Sequence, residues 1–286
     1  MTYSIVARCH ETGNLGVAVQ SHWFASGVVC WAKSGAGAVA TQAMTLIDHG
    51  PLGLEQMGEG KSANDALEYR LSVDDSPEVR QVAMIDANGQ VAVHTGSQTI
   101  PESGHIVGDG FACQANMMWK SSVWQSMHDR FVQSGGDLAH RMLDSLKAAQ
   151  EEGGDIRGMQ SSRILVVKSE PSDRPWNDVL VDVRVDDHTQ PLLEIERLLN
   201  LHSAYAELES KSYDETKWVE IPEVAFWVSV DLARRGLEHE ARRLSKIALE
   251  DDDCLRELLI RCSNDGLGGI TDETVRILLG SSQSGS

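Results

Sequence analysis

A threonine stands directly behind the first methionine in the opening segment "MTYSIVARC". Methionine before a small residue is the pattern from which the initiator is routinely removed, and Thr2 would then carry a hydroxyl and its own α-amine. An α-amine titrates near pH ~8, so part of it is neutral at cellular pH and can accept the hydroxyl proton. One residue then supplies nucleophile and base together. Ser4 and Cys9 are fallback nucleophiles if the chain is cut differently, and Ser4 shares the strand face of Thr2 at period two.

Other polar residues sit where strands end. In "GAVATQA", Thr41 and Gln42 close an apolar run, where a hydroxyl and an amide can point into a cleft or simply finish a strand-end hydrogen bond. In "GDGFACQANMM", Gln114 and Asn116 fall on one strand face, and amides on a buried face need partners, a substrate carbonyl or oxyanion among them. "GGDIRGMQSS" supplies Asp155 and Arg157, which can fork into a charge-assisted pair, and Gln160 and Ser161, which enter a strand as candidate substrate contacts. "VDVRVDDH" alternates Asp182, Arg184 and Asp186 on one face. A metal site needs three or more convergent ligands, and Asp-Asp-His in a row is a poor donor set. An ion-pair network is the expectation there, with no metal and no organic cofactor. His22, just past the second strand, is a loop histidine that can assist proton transfer.

The elements that must position these residues read as strands, helices, strands, helices, strands and then helices. Runs at 2–8 and 15–21 around Thr12-Gly13-Asn14 form a hairpin, followed by strands at 28–33 and 37–42. A helix opens at Ser62, with Asp65 three residues on. "RQVAMIDANGQVAVHTG" is a second hairpin, "DGFACQANM" holds a further strand, and helices follow at about 120–133 and 136–151. "SRILVVK" and "DVLVDVRV" close the region as strands. This order suits two mainly antiparallel sheets stacked face to face under helix pairs, not a parallel doubly wound sheet.

The 286 residues carry a formal net charge of −18. Residues 1–169 hold 12 Lys+Arg against 18 Asp+Glu, net −6; residues 170–286 hold 13 against 25, net −12. That balance argues against nucleic acid or anionic lipid as a partner, since both demand a basic footprint. No basic flank precedes an apolar run, and no apolar segment approaches the ~20 residues needed to span a bilayer. Five scattered cysteines without metal spacing read as reduced thiols in a cytoplasmic protein.

Together "TYSIVAR", "ETGNLGVAVQS", "GAGAVATQA", "GDGFACQANMM", "GGDIRGMQSS" and "VDVRVDDH" resemble a widespread bacterial and archaeal family of uncharacterised proteins assigned to the N-terminal-nucleophile hydrolase superfamily. The resemblance covers roughly residues 2–190. It implies a four-layer αββα sandwich, an α+β fold, with Thr2 as nucleophile of an amidohydrolase acting on a small amide or short peptide. In threonine-type members of that superfamily a lysine near the nucleophile depresses the amine pKa, which makes Lys33 a candidate. On this reading Asn116 stabilises the oxyanion, and Thr41, Gln42, Gln114, Asp155, Arg157, Gln160 and Ser161 line the substrate cleft. The alternative is a catalytically inactive relative that uses its cleft or helical tail for binding. The domain change is placed near 188–191, giving domains 1–190 and 191–280 and a tail 281–286. "AFWVSVDLARRGLEHEARRLSKIALEDDD" resembles a single tetratricopeptide-like unit with Gly236 at its turn, flanked by helices at 191–209 and 252–263 that complete a small bundle. A homodimer is expected from the habit of the superfamily.

Overall fold

Tyr3, Ile5 and Ala7 alternate with Ser4 and Val6 along the first strand, and both sets are buried, because β1 (Thr2–Arg8) lies in the middle of a sheet. The computed structural model describes residues 2–214, 221–250 and 252–280. The chain divides into two units, residues 1–199 and 200–286. Their architecture is α+β: antiparallel sheets in the first, helices in the second.

Strand β1 turns at Gly13, whose φ of 72° is the left-handed conformation that glycine adopts without strain, and returns as β2 (Leu15–Ser21) in the expected hairpin, with Thr2 opposite Ser21. The other strands are β3 (Cys30–Lys33), β4 (Gly37–Ala43), β5 (Arg80–Asp86), β6 (Val91–Thr95), β7 (Gly104–Gly108), β8 (Phe111–Asn116), β9 (Ser161–Val167) and β10 (Val179–Val185). They form a six-stranded sheet ordered β10-β9-β2-β1-β8-β7 and a four-stranded sheet ordered β3-β4-β5-β6. Every strand pair in both is antiparallel.

Period-two alternation gives each strand two apolar faces. Val6, Val17, Val19 and Leu165 of the larger sheet meet Ala38, Ala40, Ala83 and Ile85 of the smaller one. The alanines let the sheets approach closely, which is how a chain with 5% aromatic residues fills its interior. The opposite face of the larger sheet, with Tyr3 and Ile5, packs on Met127 and Phe131 of α3 (Val123–Gln133) and on Met142, Leu143 and Leu146 of α4 (Leu138–Glu151). The opposite face of the smaller sheet, with Val39, Val82 and Met84, packs on Leu54 and Met57 of α1 (His49–Gly58) and on Ala66 and Leu67 of α2 (Ala63–Ser72).

Ser62 is the N-cap of α2: its hydroxyl accepts from the Asp65 N–H at 3.1 Å and donates to the Asp65 carboxylate at 2.7 Å. The strand expected at 28–33 starts two residues later, because Ser26–Val29 coil into a 3-10 turn. Strand β7 was not legible: it is a half-exposed edge strand with glycine at both ends, so it shows no clean apolar alternation.

The second unit contains α6 (Pro222–Arg234), α7 (Glu238–Leu249), α8 (Asp253–Asp265) and α9 (Asp272–Leu279). Gly236, at φ 78°, makes the turn between α6 and α7. A preceding helix, α5 (Pro191–Ser210), contributes Leu192, Ile195 and Leu199 to the first unit's core and Ala204 to the second's. The expected tail 281–286 lies outside the described residues. Among the described residues, no helix is long and apolar enough to cross a membrane.

Candidate functional site

The inter-sheet faces are apolar through most of their length and turn polar at one end. Across the six-stranded sheet the register aligns Asn116, Thr2, Ser21 and Ser161 in one transverse row. The next row inward is Gln114, Ser4, Val19 and Arg163, and the one after that is Ala112, Val6, Val17 and Leu165. On the four-stranded sheet, Gln42, Gln81 and Thr95 form the matching row. Neighbouring strands are ~4.8 Å apart, so each row is a continuous line of side chains.

A closed hydrogen-bond network joins the two rows. The Thr2 hydroxyl donates to Ser21 Oγ at 3.0 Å, and the Thr2 carbonyl accepts from Gln42 Nε2 at 3.1 Å and from Asn116 Nδ2 at 3.4 Å. Gln42 Nε2 and Asn116 Nδ2 both also donate to Gln81 Oε1, at 2.7 and 2.9 Å. Gln81 Nε2 in turn reaches Thr95 Oγ1, Gly104 O and Ala115 O at 3.0, 3.1 and 3.0 Å. The Ser4 hydroxyl donates to Gln42 Oε1 at 2.8 Å and accepts from Gln114 Nε2 at 3.1 Å. Thr2 is 6% exposed, and Ser4, Gln42, Gln81, Gln114 and Asn116 are buried. These groups are neutral, so the network fixes Thr2 without placing an ionised side chain against it. Among the described residues Ser21 is the hydrogen-bond partner of the Thr2 hydroxyl.

Next to this row, the Ser161 hydroxyl contacts Ser26 Oγ at 2.6 Å, accepts from the Ser26 N–H at 2.9 Å and donates to the Trp23 carbonyl at 2.5 Å. It thereby ties down the loop that follows β2. Asp155, 1% exposed, forms the anticipated fork with Arg157 at 3.1 and 2.8 Å and accepts from the His22 N–H at 3.3 Å. His22 Nδ1 is buried with no partner among the described residues. Burial, helped by the Asp155 charge, pushes the Tyr3 phenol well above its ordinary range. Tyr3 therefore remains a neutral donor, to Gln150 Oε1 at 3.1 Å.

Two expectations about position are corrected. Lys33 does not lie beside Thr2: it pairs with Gly37 at the far end of β4, five residues from Gln42 and so roughly 16 Å along the strand. There it lines a separate pocket with Trp31, Glu55 and Arg163. Thr41 does not face a cleft between the sheets, because period two places it with Val39, toward α1 and α2, and its buried hydroxyl has no partner among the described residues. Gln160 is near the row through its main chain, its N–H donating to Ser21 O at 3.1 Å, while its side chain turns outward to Asp187 at 3.0 Å. Asp182 and Asp186 are engaged by Arg163 and Arg184, at 2.8 and 3.0 Å.

Sequence reasoning missed Gln81, Ser21 and Ser26. A signal existed for the first two: Gln81 shares its strand face with Ala83 and Ile85, and Ser21 with Val17 and Val19. A polar residue in phase with buried apolar ones marks either a buried network or a site.

Residues 2–195 match the model of DUF1028, a family of unknown function. The chain is similar to the crystal structure of protein SPO2555 from Silicibacter pomeroyi, assigned to the same family. The TM-score is 0.63 at 29% identity, covering 71% of this chain and 89% of that one. No curated protein matches the sequence.

Proposed function

Because the chain belongs to the DUF1028 family, whose function is unknown, we propose a function from the site itself: an amidohydrolase of the N-terminal-nucleophile type, with Thr2 as nucleophile. The succession α1/α2, small sheet, large sheet, α3/α4 fits the four-layer αββα sandwich of such enzymes. The single observation that carries the reading is the fixation of Thr2. A terminal residue is ordinarily loose, yet here its carbonyl and its hydroxyl are held by three neighbours, Ser21, Gln42 and Asn116, that converge from both sheets.

Removal of Met1 frees the Thr2 α-amine, which takes the proton from Oγ1 as the oxygen attacks the carbonyl carbon of a small amide or short peptide. The tetrahedral intermediate collapses with cleavage of the C–N bond, the leaving nitrogen departs with that proton, and water hydrolyses the ester on Thr2 Oγ1. With no lysine or histidine side chain hydrogen-bonded to Thr2 among the described residues, the amine is the base. Gln42 and Asn116 act as positioning residues, since their amide protons already hold the Thr2 carbonyl and Gln81. Ser21 orients the nucleophilic oxygen.

The test is intact mass of the purified protein before and after exposure to electrophilic amide mimics. The expected result is a mass lacking Met1 and one adduct on Thr2, with turnover of any amide found reduced at least ~10³-fold in Thr2→Ala. Retention of Met1 in a native preparation, or full turnover by Thr2→Ala, sinks the proposal in favour of a binding role.

A further inference from the structure

The helical unit is acidic, with 17 Asp+Glu against 10 Lys+Arg over residues 200–286. Four of those ten basic residues nevertheless line one pocket. Arg242, Arg243 and Lys246 recur with His239 at i, i+3, i+4 and i+7 on one face of α7, and Arg256 joins them from the first turns of α8. The pocket encloses about 570 Å³, and its floor is apolar: Leu249, Ile277 and Leu278. Among the described residues no aspartate or glutamate lines it.

The cations are unevenly spent. Arg256 donates through Nε and Nη2 to the Leu249 carbonyl at 3.1 and 2.6 Å, which seats it over the last turn of α7. Arg242 meets Glu238 at 3.1 Å on the exposed side. Arg243 and Lys246 have no carboxylate partner among the described residues, in a unit where carboxylates outnumber cations. Facing cations repel one another, so such a cluster costs free energy unless an anion completes it.

We propose that this pocket binds a small dianion that carries an apolar group: the charge between Arg243 and Lys246, the apolar part on Leu249, Ile277 and Leu278. The volume suits a small organic ligand, and an apolar floor with a few convergent polar groups is the usual composition of such sites. Guanidinium and ammonium together accept either a phosphate monoester or a dicarboxylate. The site is independent of the chemistry proposed for Thr2. The protein's net charge of −18 repels anions in general, so saturable uptake of a dianion reports a local site.

The experiment is calorimetric titration of the full chain with phenyl phosphate, phenylsuccinate and inorganic phosphate at low salt. The expected result is one-to-one binding of phenyl phosphate or phenylsuccinate, several-fold tighter than inorganic phosphate. Affinity should fall at least ~10-fold in Arg243→Glu/Lys246→Glu and decline with salt. Whichever aryl dianion binds tighter identifies the ligand as phosphorylated or dicarboxylic. Should the double reversal lower the melting temperature, Arg243→Gln/Lys246→Gln gives the same readout without new charge. Failure of both aryl dianions to bind at millimolar concentration, or unchanged affinity in the double variants, overturns the assignment.

Discussion

Replacing Gln81 by leucine keeps side-chain size and removes the hub between the two sheets. In the native protein, Gln81 Oε1 accepts from two amides and Nε2 faces three acceptors, which also fixes the orientation of the amide. In Gln81→Leu, Gln42 Nε2 retains the Thr2 carbonyl at 3.1 Å, but Asn116 Nδ2 keeps only its 3.4 Å contact. The Ala115 carbonyl loses this donor in the buried interior, and the Gly104 carbonyl loses it at a partly exposed position. Each buried group left short of a partner costs about 1–3 kcal/mol. Two or three such losses, offset by about 1–2 kcal/mol from the added apolar burial, leave a net destabilisation of about 2–4 kcal/mol. Urea unfolding followed by both tryptophan fluorescence and far-ultraviolet circular dichroism measures it, the two probes separating the units if they unfold independently. Gln81→Glu should be worse still, since a carboxylate donates to none of the three acceptors. A Gln81→Leu protein within ~0.5 kcal/mol of wild type would show that the network does not hold the sheets, and the argument for Thr2 fixation would lose its basis.

The Asp74 side chain is shielded from solvent, gripped by Arg80 in two hydrogen bonds at 2.9 and 3.1 Å and by His49 Nε2 at 2.9 Å, and the Arg80 grip above all holds its carboxyl far below the ordinary range. Burial also lowers the His49 pKa, despite Asp74 beside it. In both cases the unfolded chain binds more protons than the folded one below its ordinary pKa, so stability is present at neutral pH and is lost as pH falls. The melting temperature should therefore decline below about pH 6.5 through His49 and further below about pH 4 through Asp74. Asp74→Asn should be less stable at pH 7 and show a shallower second decline, the remainder coming from other carboxylates held low, such as Asp137; parallel pH curves for the two proteins contradict the assignment. Burial pushes the thiols of Cys30 and Cys113 up to about 12, while Cys254 is exposed. Iodoacetamide at pH ~8 should accordingly label Cys254 and spare Cys30 and Cys113 until the protein is denatured. Native labelling of either buried thiol at the rate of Cys254 excludes the described core.

The sequence by itself determined most of the strands and helices, because their signals are local. Period two in "TYSIVAR" and "LGVAVQS", the turn at Gly13 and the cap at Ser62 act over a few residues. It also determined that Thr2, Ser4, Gln114 and Asn116 share a face with buried apolar positions. Tertiary structure alone decided which of those faces meet. Gln42 and Gln81 come from a different sheet, 40 and 79 residues from Thr2 in sequence, and no local pattern encodes the pairing of β1 with β8 across 114 residues. Lys33 shows the limit most clearly: it ends a strand in the right region of the chain, yet at the wrong end of the sheet. A strand's periodicity states which face a side chain takes, and says nothing of which end of a neighbouring strand it will stand beside. The row of polar side chains around Thr2 exists because antiparallel register across four strands of the larger sheet brings it there, and register is a property of the folded whole.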